Sequence, residues 1–567
     1  MDAASSDAES KSEIGNGIDR KVSSIEANIT TKQSWHHHVR AVTISLIACL
    51  QVFHTGYCIG FTSPAVRDFT GPETKLNLTL DEISWFGSLL TIGAMVGSLV
   101  CGPLMERLGR LVTMKFNMIL YISGWVFIFS HTTVALLYIG RLLTGLAYGI
   151  TITVVPVYVG EVGPTVIRGL LGASINLFLA IGIMAGYAFG IVFRWPHLAE
   201  IGIICASISL ILCSILPESP FWLVKKKNNY DAQKAFKHLL GSATPLNAIK
   251  LRIASIQESQ LENEERFKMK DILNPLFYRP LVIVVVLNSS QQLSGINALM
   301  FYVHSIFHAA NFDDENLPSI MLGSVQILGL FVSMFLMDKL GRRKLFLVSS
   351  VGCGFCFALL GVCMYFISTC KASLEAPTQN MSEDNFPGTS NTTHYAGLHV
   401  DINGQNDHFY HYDSNEAKCS FEVSAWIALI SSVMFIVLFA LGLGPVPFTA
   451  IGELIPLQRR DFAGGLATFS NNLFSFVVVK SFPLLSLYTS SHAVFWGFGV
   501  INFMIASYAW WKLPETKGRS LQEIQELFAE SPQTYRVRDD SSGHIAKKTV
   551  EETMLAKSHK EDVLVVA

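Results

Sequence analysis

Charge is what this chain has least of. Only 15% of its 567 residues are Asp, Glu, Lys or Arg, where a soluble protein carries about a quarter. The first 40 residues, the stretch 217–278 and the last 50 hold most of them, and long apolar blocks hold nearly none. That distribution excludes an ordinary soluble domain. A net charge of −2 without a basic, aromatic-laced stripe excludes nucleic acid as a partner. No nucleophile–base constellation or phosphate loop stands out, so neither an enzyme nor a cofactor is expected. The N-terminus, "MDAASSDAESKSEIGNG", is polar and acidic and is not a cleavable leader. "WHHH" (35–38) has no acid or Cys to complete a metal site and reads as an interfacial collar.

What is present is apolar length. Half the residues are hydrophobic, 38 of them Phe. A bilayer core of roughly 30 Å needs about 20 helical residues to cross. Twelve such runs occur, near 41–61, 85–105, 113–130, 134–158, 169–193, 199–216, 279–308, 317–337, 344–369, 424–452, 464–487 and 491–512. Strands of a membrane barrel would alternate apolar and polar residues; "LVIVVVL" and "MFIVLFALGLG" do not. The expected fold is an all-α membrane protein of twelve transmembrane helices.

Lys and Arg crowd the alternate connections (Arg107, Arg110, Arg168, Lys225–Lys227, Arg342, Arg343, Arg459 and Arg460), which places these and both termini in the cytosol. The long fifth outside connection, 370–422, carries "NMS" at Asn380 and "NTT" at Asn391, glycosylation acceptors on that side. Cys370 and Cys419 stand at its two ends in an oxidising setting and are expected to pair. The other eight Cys are scattered through apolar runs as small core residues.

The chain repeats itself. "GPLMERLGRLVTM" (102–114) and "SMFLMDKLGRRKLFL" (333–347) align Glu106 with Asp338, an offset of 232 (338 − 106). "GEVGPTVIRG" and "GELIPLQRRDF" each set a Glu seven residues before an Arg, Glu161 before Arg168 and Glu453 before Arg460. The halves are parallel repeats, and such transporters bind substrate at the midplane between repeats. The expected domains are a disordered N-terminus (1–40), a six-helix bundle (41–216), a cytosolic helical linker (217–278), a second bundle (279–513) and a cytosolic tail (514–567). Acids recurring beside bases at cytosolic helix ends suggest a gate, since topology alone needs only the bases.

"GRLLTG", "PVYVGEVGPTVIRGLLG", "PESPFWL", "QQLSGIN", "DKLGRRKL", "GPVPFTAIGELIP" and "PETKGRSLQEIQELF" together resemble the signature set of the sugar porter family of the major facilitator superfamily. The resemblance spans about 41–530, and the long fifth loop and "GSVQ" are similar to class III glucose transporters and arthropod trehalose transporters. It implies two six-helix bundles, alternating access, and a sugar bound by Gln291, Gln292, Asn297 and Asn471, with Asn176, Gln326, Phe448 and Tyr302 around it. Glu218 of "PESPF" joins the implied cytosolic gate with Glu106, Arg110, Glu161, Arg168, Asp338, Arg342, Arg343, Glu453 and Arg460. Asn176 for Gln, Gln326 for Asn, Phe448 for Trp and Asn472 for Trp depart from the common pattern, leave monosaccharide specificity open and admit a disaccharide or polyol. Phe221 replaces the usual Arg, which removes one salt bridge.

The residues explain such a site. A sugar leaving water loses hydrogen bonds on every side, at roughly 1–3 kcal/mol for each one unreplaced. An amide offers two donors and two acceptor lone pairs, matching a hydroxyl that does both. Gln291, Ser294 and Asn297 share a helix face at i, i+3, i+6; Gln292 lies about 100° away, and Gly295 permits a break. Glue between helices is the plainer reading of such amides. Proton-coupled relatives carry an acid after "GY" in the first helix; here Cys58 follows, so a uniporter is expected, with a proton-coupled symporter or a non-transporting receptor as alternatives. His54 is expected to be packed rather than titrating. The expected partners are a small sugar and the bilayer, with no obligate protein partner. The expected location is the plasma membrane, with endosomal or lysosomal membranes as the alternative.

Overall fold

A computed structural model of the chain describes residues 34–70, 78–130, 133–163, 168–240, 245–262, 275–310, 316–375, 414–455 and 460–517, with 523, 524 and 528. All their regular structure is helical. The first half contains α1 (Ser34–Gly60), α2 (Thr62–Thr70), α3 (Leu80–Leu108), α4 (Arg110–Ser130), α5 (Val134–Val162), α6 (Arg168–Val192) and α7 (Trp195–Cys213). A linker follows as α8 (Pro220–Lys225), α9 (Asn229–Leu240) and α10 (Leu246–Glu262). The second half contains α11 (Pro275–Leu293), α12 (Ile296–Phe301), α13 (Val303–Ala309), α14 (Leu317–Leu340), α15 (Arg342–Glu375), α16 (Ser414–Leu441), α17 (Val446–Leu454), α18 (Arg460–Tyr488) and α19 (Ser491–Lys512). Asn380 and Asn391 lie outside the described residues, as do the side chains of Cys370 and Cys419.

Among the described residues, twelve segments are long and apolar enough to cross a membrane. Three are not simple helices. The first continues past Gly60 into α2, the tenth breaks at 442–445, and the seventh breaks at Gly295. This seventh span runs Phe277–Phe301, not to 308 as the apolar run implied; a second break at Tyr302 ends it and sets α13 apart.

Glycine sets the helix spacing in the first half. A Cβ on Gly149 of α5 would sit 2.0 Å from the Ala94 carbonyl oxygen of α3, and one on Gly182 of α6 would sit 2.1 Å from the Phe53 carbonyl of α1. Lipid gives helices no hydrophobic reason to associate, so such close backbone approach supplies the packing attraction instead. The linker helices α8–α10 hold their own small core of Leu223, Val224, Phe236, Ile249 and Ile253.

The linker marks one end of the molecule; the connections α2–α3, α4–α5 and α13–α14 mark the other, called distal here. The halves meet through α3 on α18, α6 on α14 and α2 on α13. Polar bonds between them cluster towards the distal end. Lys480 Nζ donates to Asp81 (2.7 Å) and lies 4.2 Å from the Trp85 ring centroid; Ser84 Oγ donates to the Lys480 carbonyl (2.9 Å). Arg67 Nη1 donates to Asn316 Oδ1 (3.0 Å), and Tyr187 Oη to the Met300 carbonyl (2.6 Å). The distal mouth is shut.

Gly149→Val should abolish a monodisperse detergent-extracted peak, because the side chain has only backbone to displace. Gly160→Ala, where a Cβ would meet nothing within 4 Å, should leave thermal stability within about 1 kcal/mol of the parent. Size-exclusion chromatography and thermal unfolding of both variants check the pair.

Candidate functional site

The break at Gly295 builds the site. Its φ of 92° is a left-handed conformation that other residues adopt at a cost, and a Cβ there would press 3.0 Å from the Phe357 and Phe498 rings. A break exposes carbonyls that lipid cannot satisfy. The Ser294 carbonyl accepts from Asn502 Nδ2 of α19 (3.0 Å), and the Gln292 carbonyl accepts from the Gly295 N–H (3.2 Å).

Four amides then form one continuous hydrogen-bonded chain. Gln291 Nε2 donates to the Gly444 carbonyl in the broken tenth span (2.8 Å). Asn471 Nδ2, on α18, donates to Gln291 Oε1 (2.7 Å) and to the Asn288 carbonyl (2.8 Å). Gln292 Nε2 donates to Asn471 Oδ1 (2.9 Å). Asn297 Nδ2 donates to Gln292 Oε1 (2.7 Å) and to Ser475 Oγ (2.6 Å). The two successive glutamines point about 100° apart, and Asn471 reaches both. Ser294, by contrast, turns its hydroxyl back to the Gln291 carbonyl.

The remaining residues expected around a sugar stand outside this chain. Gln326, on α14, is buried with its Oε1 unpartnered, as is Asn472 Nδ2 beside Asn471. Asn176 is half-buried on α6, and Phe448 on α17 is 41% exposed. Tyr302 donates to the Val479 carbonyl (3.1 Å), stacks on Phe482 (ring centroids 5.5 Å), and would touch a Cβ at Gly87. In this conformation it packs α18 against α3 rather than joining the amides.

At the linker end the sequence repeat becomes a structural one. Gly109 (φ 92°) and Gly341 (φ 90°) start α4 and α15. Glu218 accepts from the backbone N–H groups of Arg110 (2.9 Å) and Leu111 (3.1 Å); Glu515 accepts from those of Arg342 (3.0 Å) and Arg343 (3.2 Å). Each carboxylate thus satisfies orphan donors at a helix N-terminus. Arg110 grips Glu161 (2.7 Å) as Arg342 grips Glu453 (3.0 Å). Ser219 donates to Glu161, as Thr516 does to Glu453 (2.6 Å). Burial raises the Glu218 pKa, against the lowering pull of its backbone donors on Ser219, Leu111 and Arg110.

Of the expected gate residues, Arg110, Glu161 and Glu218 come together in the first half, and Arg342 and Glu453 in the second. Glu106 pairs with Lys225 (2.8 Å), both exposed, and Arg343 Nη2 donates to the Trp510 carbonyl (2.6 Å). Arg168 and Arg460 open α6 and α18, but their side chains and that of Asp338 lie outside the described residues.

Sequence reasoning missed Glu515 and Thr516, although "PES" and "PET" stand in matching places 297 residues apart (515 − 218). It also missed Arg141, fully buried on α5. Its guanidinium donates to the Phe86 carbonyl (3.1 Å), the Cys58 carbonyl (3.2 Å) and Thr62 Oγ1, and lies 4.5 Å from the Phe86 ring centroid. A lone Arg inside the fourth apolar run was the signal. His54 is packed as expected, its Nε2 2.8 Å from Ser209 Oγ.

Known proteins share this architecture. The family description "Sugar (and other) transporter" matches residues 40–376 and 409–528. The mouse facilitated glucose transporter member 8 of solute carrier family 2 is 31% identical over 493 residues, covering 86% of this chain and 94% of its own. The honeybee facilitated trehalose transporter Tret1 is 30% identical over 497 residues, 86% and 88% of the two chains. Among solved structures, a partially occluded, inward-open form of the Escherichia coli xylose transporter XylE superposes with a TM-score of 0.65 at 19% identity, over 85% of this chain and all of that one. Twelve spans in two repeated bundles and a match across most of the chain place this protein in the sugar porter family of the major facilitator superfamily.

Proposed function

We propose that this chain is a uniporter that carries a neutral sugar down its gradient, exposing the amide chain of Gln291, Asn471, Gln292 and Asn297 to each side of the membrane in turn. The unbroken hydrogen bonding among these amides is the observation that carries the reading. In the resting site every amide leans on another amide. A sugar hydroxyl can replace each of those partners with a bond of the same kind. The exchange is close to isoenergetic, so binding is weak and reversible, as a carrier requires. The unpartnered Gln326 Oε1 offers one further buried acceptor.

Uniport rests on the described residues, among which no carboxylate stands at the depth of the site. Glu161 and Glu453 sit at linker-end helix termini in ion pairs, and Asp81 and Glu82 sit at the distal end. Without an acid to take up and release protons inside the span, sugar movement has no proton to follow. Arg141 is held by two carbonyls and a hydroxyl rather than an acid. The shorter Asn176 and the smaller Phe448 and Asn472 favour a roomy pocket, which admits trehalose as well as hexoses. The trehalose transporters among the relatives agree with that breadth. By the distribution of Lys and Arg the linker end and both termini face the cytosol and the distal end faces outward; with no acidic dileucine signal evident in 1–40 or 514–567, the plasma membrane is the favoured location.

Purified protein in liposomes, given labelled glucose, fructose, trehalose and inositol, tests these statements together. Gln291→Ala and Asn471→Ala should each weaken sugar affinity by about tenfold, one hydrogen bond each, with the protein still inserted. Normal uptake by both would remove the site. An imposed proton gradient should change the rate of equilibration but drive no accumulation above the external concentration. Uphill accumulation would replace the uniporter with a symporter.

The linker-end clusters give a separate expectation. Arg110→Ala and Glu161→Ala should each destabilise the protein more than additivity with the double variant allows, with a coupling of about 1–3 kcal/mol. Thermal unfolding of the four proteins in detergent measures it.

A further inference from the structure

Beyond the sugar site, one buried titratable group joins the two halves at the distal end. His304 lies on α13, past the end of the seventh span at Phe301, and is 3% exposed. It faces Ser63 of α2, in the other half. Ser63 Oγ accepts from the His304 backbone N–H (3.1 Å) and lies 2.6 Å from Nδ1. A serine oxygen has two acceptor lone pairs, so Ser63 can take the backbone N–H and still either donate to Nδ1 or accept from it. From Val39 to Ser63 the chain rises about 36 Å at 1.5 Å per residue, more than a bilayer core of roughly 30 Å. The pair therefore stands at the level of the distal interface, where water waits on the far side of the closed mouth.

The surroundings oppose a charged ring. From α2 come Arg67 and Asp68; the Asp68 carboxylate is occupied by the Arg67 guanidinium (3.1 Å) and by the Trp195 N–H (2.9 Å). Among the described residues, the start of α14 presents neutral groups, Asn316, which bonds the ring, and Ser319, whose Oγ is 3.4 Å from Nδ1; Asp313, Asp314 and Glu315 before it lie outside the described residues. Helix α12 offers no titratable side chain, and on α13 itself His308 is a turn away and exposed. Burial, then the Arg67 cation, push the His304 pKa down from 6.5 to about 4, while the Asn316 bond pulls the other way.

We infer that His304 and Ser63 form a proton-sensitive latch that holds the distal mouth closed at neutral pH and releases it when that side turns acidic. A protonated ring must hold its charge in a site that is 3% exposed, and burial away from water disfavours that form. The new charge also faces Arg67 across the seam. Once α2 and α13 part, water meets the imidazole and its pKa returns towards about 6.5. The sign follows from that difference. The closed form binds the proton more weakly, so its advantage is complete above about pH 6.5 and is lost as the pH falls from there towards 4. At pH 5 the closed-to-open ratio should fall by up to roughly thirtyfold, against almost no change at pH 7.4. The uniporter gains no coupling ion this way; the proton biases which side the empty carrier faces.

Hydrogen exchange on the full chain in lipid nanodiscs, without sugar, tests the latch independently of the transport reading. Rates at pH 7.4 and 5.0 are compared after correction for intrinsic exchange. Peptides spanning 62–70 and 303–309 should lose protection by at least about fivefold at pH 5.0. Peptides at the linker end of α4 should not lose protection. In His304→Gln, whose amide oxygen can still take the Ser63 proton, the distal protection should persist at both pH values. In His304→Arg, which stays charged at both pH values, it should be low at both. Wild-type protein with no pH-dependent loss in these two peptides, or a His304→Gln variant that keeps the whole loss, would overturn the inference.

Discussion

Inside a bilayer an amide has no water to turn to, so each polar group placed there must find its partner in the protein. The second half of this protein meets that demand by closing Gln291, Asn471, Gln292, Asn297 and Ser475 into one chain of mutual bonds. The left-handed Gly295 and the loop at 442–445 follow from the same demand. Each interrupts a helix where its backbone can be satisfied by the site, the Gly444 carbonyl by Gln291 and the Ser294 carbonyl by Asn502. Amides that satisfy one another can also let go of one another, which is what the proposed sugar site requires of them.

The repeat gives the two halves the same fixed ends and leaves the contact between them to change. At the linker end each half carries a Gly turn, a carboxylate capping the next helix and an Arg–Glu pair, all internal to that half. At the distal end the bonds run between halves instead, through Lys480, Arg67, Tyr187 and Ser63. Rigid bundles with strong internal ends and separable contacts between them suit rocking about a central site. Close glycine contacts between α3 and α5 and between α1 and α6 keep the first bundle from deforming as it moves.

Much of this was legible in the chain. The twelve spans follow from apolar length alone, and the break at Gly295 from a glycine set among polar residues in an apolar run. The second break, at Tyr302, was not legible, because it depends on α2 and α18 lying against α12 and α13. The four amides could be named from family resemblance. Their wiring could not, since Asn471 links two glutamines that a helical wheel sends in different directions. Glu515 escaped because its role depends on a helix N-terminus 173 residues away (515 − 342). Arg141 escaped because an isolated charge in an apolar run carries no spacing; only three acceptors converging from α1, α2 and α3 give it meaning.

The claim that the amide chain is the sugar site has a direct structural measurement. Cryo-electron microscopy of the protein in nanodiscs, with and without saturating glucose or trehalose, should show sugar density against Gln291, Gln292, Asn297 and Asn471. At least one amide–amide bond of the sugar-free form should be exchanged there for an amide–hydroxyl bond. Sugar bound elsewhere, with the bonds from Gln291 to Ser475 intact, would contradict the account.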